Sequence, residues 1–163
     1  MSLRRPVLLI LLVLAPLASL AAPAADPKVA AVLDELGYKY EVDGDGDYKL
    51  VMAIEGDDGA ERSQLVFVRS PVETYGSHRI REVWSPAYKT AGAFPGPVAN
   101  RLLEASDDLK LGAWVKHDGH ALVVVKLDAD AGAEALEQAI SAAVTSADEM
   151  ERELAGDPDS DEF

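Results

Sequence analysis

Cysteine is absent from the 163 residues. That excludes disulfide staples, thiolate nucleophiles and cysteine-ligated metal centres. Basic residues are few, 15 lysines and arginines against 29 aspartates and glutamates. Without Arg4 and Arg5 the ratio falls to 13 against 29. Such a surface repels nucleic acid and anionic lipid, and it attracts basic partners or divalent cations. No GxSxG-type elbow surrounds Ser63, Ser70, Ser77 or Ser85, and no glycine-rich phosphate loop is present. No catalytic residue and no cofactor is therefore expected, and the chain reads as a non-enzyme.

Long apolar runs are also scarce. Val7–Leu14 is unbroken, with Arg4 and Arg5 before it and small residues from Ala15 onward. This is the layout of a secretory signal peptide, with cleavage fitting after Ala21 or after Ala24. The run is short for the ~20 residues a membrane span needs, and Pro16 interrupts its end. No cysteine follows it for lipid attachment. Residues 1–24 are thus read as a removed signal peptide, and the mature chain as periplasmic or secreted, with no membrane span. About 140 residues remain, enough for one domain with one core. That domain is placed at residues 25–156. The tail 157–163, DPDSDEF, is acidic and poor in apolar residues, and disorder is expected there.

Periodicity outlines the domain. Asp26 caps and Pro27 opens a helix over Pro27–Leu36, with Val29, Val32, Leu33 and Leu36 on one stripe. The period then becomes two at Tyr38, Tyr40 and Val42, again at Tyr48, Leu50, Met52 and Ile54, and again over Ser63–Arg69. Short acidic turns join these three strands into a meander. Four prolines punctuate Ser70–Pro97, which reads as loop around a short strand at Arg79–Trp84. A short helix over Val98–Ala105 precedes a strand from Leu109 to Val115. Asp118-Gly119 forms a hairpin turn that sets Val115 opposite Leu122 and Trp114 opposite Val123. Leu122–Leu127 is apolar on both faces, so cover is expected on both. A final helix spans Ala133–Leu154. The predicted class is α+β, an antiparallel sheet of about five strands flanked by helices. The order is helix, three-strand meander, helix, hairpin, helix.

Three stretches invite chemistry. In DGDGD, Asp43, Asp45 and Asp47 match the first, third and fifth positions of a calcium loop. Tyr48 then stands where glycine is required, and Ile54 where a bidentate glutamate is required. Gly44 and Gly46 suit an acidic turn, because aspartates bond nearby backbone N–H groups. Divalent-cation binding through Asp43, Asp45 and Asp47 stands as the alternative reading. His117, Asp118 and His120 offer three zinc ligands of two types, but zinc wants three or four ligands and no fixed fourth is visible. Between Arg62 and Lys89 lie five basic residues against Glu73 and Glu82. Arg79, Arg81, Trp84 and Tyr88 are the residue types that dominate binding interfaces. Either they engage a partner, or the arginines pair with the protein's own acids and Trp84 fills the core.

The segment "LKLGAWVKHDGHALVVVKLDAD", the following helix with "ADEMERELAG", and the opening "VLDELGYKYEVDGDGDYKL" resemble the YbjN-like family of bacterial sensory-transduction regulators. The resemblance covers most of Pro27–Gly156. The family is similar in fold to type III secretion chaperones, α+β sheets that commonly dimerise and bind polypeptide segments. The resemblance implies a non-catalytic module for a protein or peptide partner, in a chaperone-like or regulatory role, and a homodimer. It carries over no catalytic residue. A signal peptide departs from a cytoplasmic chaperone.

Overall fold

The computed structural model describes residues 24–55, 61–156 and 161–163. The signal-peptide reading falls outside these residues up to position 23, as do the turn at 56–60 and the tail at 157–160.

Helix α1 (Pro27–Glu35) starts where Asp26 accepts the Lys28 N–H, and it buries Val29 and Leu33. Strand β1 is only Glu41–Val42. Tyr38 and Tyr40, expected in that strand, instead pack at the rim of the core. β2 (Tyr48–Glu55) and β3 (Glu61–Val68) pair along their full length, from Tyr48 opposite Val68 to Glu55 opposite Glu61. β4 (Glu73–Tyr75), β5 (His78–Lys89), helix α2 (Gly96–Asp108), β6 (Ala113–His117), β7 (His120–Asp128) and helix α3 (Ala133–Ala155) follow. The sheet order is β1-β2-β3-β5-β7-β6, with β4 beside β5, and every pairing is antiparallel.

The fold is α+β with seven strands rather than about five. The stretch expected to be mostly loop holds the twelve-residue central strand β5. Pro86 disguised it, since proline is rarely placed inside a sheet. A register shift between Pro86 and Tyr88 accommodates the missing N–H. Leu109 ends α2, so β6 begins at Ala113 and not at Leu109. The β6–β7 hairpin has the expected register, Val115 opposite Leu122 and Trp114 opposite Val123. Its turn requires positive φ, which Asp118 (44°) and Gly119 (82°) adopt.

One face of the sheet builds the core. Tyr48, Leu50, Val66, Val68, Val83, Val123 and Val125 share that face by register and form a single cluster with buried residues of all three helices. Ala139, Ala143 and Ala147 let α3 lie close over the strands. Each fully buried valine or leucine contributes about 1.5–3 kcal/mol. Toward one end the face turns polar, with Arg62 and Gln64 on β3 and Asp148 and Glu151 on α3 all buried. Arg62 Nε and Nη2 grip both Asp148 carboxylate oxygens at 2.9 and 3.0 Å. Among the described residues no helix is long and apolar enough to cross a membrane.

Candidate functional site

The opposite face carries Val51, Leu65, Phe67, Trp84, Val124 and Val115, none of them in the helix-covered cluster. A seam runs through it. The Arg69 N–H donates to the Glu82 carbonyl at 3.0 Å, and Phe67 pairs with Trp84. Continuing that register sets Leu65 against Pro86, which has no N–H to give. Side chains replace the lost rung: Gln64 Nε2 donates to the Pro86 carbonyl at 2.7 Å, and Ser85 Oγ donates to the Leu65 carbonyl at 2.5 Å. The Leu65 N–H is left for another acceptor, and the Phe163 carbonyl takes it at 2.9 Å. Asp161–Phe163 therefore lie along β3 where β5 has diverged.

Beside the seam is a cavity of about 360 Å³. Its floor is Leu65, Phe67 and Leu122, and its walls include the DGDGD carboxylates, His117, His120 and the Phe163 ring. Trp84 stands at its centre, half-buried. The Arg69 guanidinium lies 4.0 Å from the Trp84 ring centroid, and the His117 ring is 5.1 Å away, tilted by 59°. Glu82 accepts the indole N–H at 2.8 Å and fixes the ring. Arg69 also pairs with Asp47 at 2.9 Å. Burial pushes the Asp47 carboxyl above its usual range, against the pull of the Ser70 N–H and Arg69, with Asp43 and Asp45 adding to the rise.

The predicted partner-binding residues do not form one site. Trp84 faces the cavity. Arg81 is buried on the helix-covered side, where it donates to the Arg69 and Ser70 carbonyls and to Asp26. Arg79 pairs with Asp130, which also binds Lys28. Tyr88 sits opposite core residue Ala121, its ring edge-on to Phe94. The two arginines thus pair with the protein's own acids, and Trp84 lies outside the helix-covered core cluster.

Two of the three DGDGD carboxylates have roles in the fold, Asp43 within the turn and Asp47 outside it. Asp43 Oδ1 accepts the N–H groups of Asp45 and Asp47 at 2.9 Å each. Asp47 is buried and accepts from Ser70 as well as Arg69. Among the described residues no group of three or more His, Asp or Glu side chains is placed to hold a metal ion. His117 contacts Asp118 at 3.3 Å, and His120 lies against Phe163. Ser70 and Ser85 donate their hydroxyls to backbone carbonyls.

Arg69 and Lys89 belong to the basic stretch that the sequence marks, whereas Leu65, Glu151 and Phe163 beside the seam carried no such mark. A signal did exist. Val66 and Val68 set the core parity of β3, and that parity runs back to polar Gln64 and Arg62. Polar residues at core-facing positions mark a place where the sheet is not closed by apolar packing. No family model, no curated protein and no solved structure matches the chain.

Proposed function

We propose that the chain is an exported, non-catalytic binding module that engages a protein or peptide partner through the helix-free face of its sheet, in a chaperone-like or regulatory role. The observation that carries this reading is Trp84, held between Arg69 and His117 over an apolar floor. Fixed aromatic anchors of this kind dominate binding energies when a partner desolvates them. Export rests on the signal-like composition of residues 1–24. The YbjN-like resemblance adds the chaperone-like or regulatory role, and with it a homodimer, which sedimentation would detect.

The test is affinity capture from envelope extract, with bound proteins identified by mass spectrometry. Wild-type protein should retain a partner that Trp84→Ala and Arg69→Ala lose, while both variants stay folded. Capture that is identical in the Trp84→Ala variant would remove this face from the function.

A further inference from the structure

We propose that the seam between β3 and β5 is a binding slot for a short partner segment carrying acidic residues followed by an aromatic one, and that residues 161–163 of this chain occupy it as an internal stand-in. This deepens the binding reading above and rests on it.

The seated residues show what the slot recognises. Two β3 amides are satisfied by the tail: Leu65 N–H by the Phe163 carbonyl at 2.9 Å, and Ser63 N–H by the Asp161 carboxylate at 3.0 Å. Pro86 stops β5 from closing over this stretch, so the Leu65 amide of β3 stays open to an added segment. From the helix side, the Glu151 carboxylate accepts the backbone N–H groups of Glu162 and Phe163. Glu151 is only 4 % exposed and sits on the inner stripe of α3. A carboxylate there is costly unless it binds something, and its partners here are two successive peptide N–H groups, which converge on one acceptor where the chain turns out of the extended form.

Side chains add selectivity. Lys89 Nζ pairs with the Glu162 carboxylate at 2.6 Å and lies 5.6 Å from the Phe163 ring centroid. The His120 ring meets Phe163 edge-on at 6.3 Å. An acidic side chain and the aromatic ring beside it therefore each have a dedicated partner. Within the basic segment Arg62–Lys89, Arg62, Arg69, Arg79 and Arg81 pair with Asp148, Asp47, Asp130 and Asp26, whereas Lys89 pairs with the seated tail and so is the charge that favours an acidic guest. Three seated residues make few contacts against the entropy of ordering them, so the tail can exchange with a better ligand.

The probe is a fluorescein-labelled peptide, Asp-Pro-Asp-Ser-Asp-Glu-Phe, titrated by anisotropy into the full chain carrying Phe163→Ala and, separately, Glu162→Lys. Both variants should bind it at least tenfold more tightly than wild type, where the tethered tail competes at an effective concentration on the order of millimolar. A peptide ending in alanine should bind at least tenfold more weakly, and Lys89→Glu added to either variant should abolish binding. Hydrogen exchange at Ser63 and Leu65 should quicken in the variants and slow again when the peptide saturates them. No peptide binding by a folded variant whose Leu65 amide has become exchangeable would overturn the slot. If Trp84-dependent capture survives that result, only the slot falls; if capture fails as well, the binding reading falls with it. A wild-type dimer in which a second copy's residues 161–163 fill the seam would overturn the partner assignment.

Discussion

Leu50 and Val51 are chain neighbours on opposite faces of one sheet. Leu50 is 1 % exposed beneath the helices, and Val51 is 60 % exposed on the helix-free side. The covered face is a closed volume filled by α1, α2 and α3, where a missing methylene leaves a void. The other face carries its own apolar residues outside the helix-covered cluster. Its Leu122 and Val124 are nevertheless buried, Leu122 beside the ring of Phe163 and the indole of Trp84. The period of two in each strand thus separates two tasks at every residue step: stability on one side, recognition on the other.

Substitutions can break or sharpen this contrast. The largest effect belongs to the polar end of the covered face. Arg62→Ala strands the Asp148 carboxylate and should cost about 4 kcal/mol in urea unfolding, whereas the paired change Arg62→Met with Asp148→Leu should lie close to wild type. Next is the neighbouring pair: Leu50→Ala should cost about 3 kcal/mol, and Val51→Ala no more than about 0.5 kcal/mol. Equal losses would mean that the second face is covered in solution. Asp43→Ala removes two carboxylate–amide bonds from the turn and should cost about 1 kcal/mol by thermal unfolding. A calcium titration of the wild-type protein should show no binding at micromolar concentrations.

The smallest effect is a pH slope. Burial raises the Glu151 carboxyl above its usual range, the Glu162 and Phe163 amides pull it down, and Asp161 and Glu162 push it up. A raised folded value means that the native state holds its proton longer than the unfolded chain does. Stability should therefore decline as pH climbs from the ordinary glutamate range through the raised value. Asp47 adds the same sign. Glu151→Gln should flatten that decline. Asp26 acts at the other end: burial opposes ionisation, but the Lys28 amide and Arg81 outweigh it and lower its carboxyl. Its contribution is present above the ordinary aspartate range and is lost as pH falls through the lowered value.

What could be read from the chain followed the range of the interaction. The β6–β7 hairpin was legible to the register, because Asp118-Gly119 dictates its turn locally. The last helix was legible because its stripe repeats over many turns and Gly156 ends it at φ 66°. β5 was legible only as the short strand Arg79–Trp84, because a proline argues against its continuation and the compensating register with β7 lies some forty residues away. The same holds for the site. Trp84 announces itself by type, but the roles of Arg79 and Arg81 depend on Asp130 and Asp26, each more than fifty residues distant. Phe163 sits in a tail whose composition reads as disordered, and its contacts with Leu65, Lys89 and His120 are invisible to any local window.

Pro86 has a mechanical consequence. β3 and β5 share few rungs, whereas β5 and β7 pair from Ile80 to Lys89 with one register shift between Pro86 and Tyr88. A load applied across the sheet would part it first at that line, into a β1–β2–β3 leaf and a β5–β7–β6 leaf. Helix α3 touches β3, β5 and β7 and so acts as the splint that holds the leaves together.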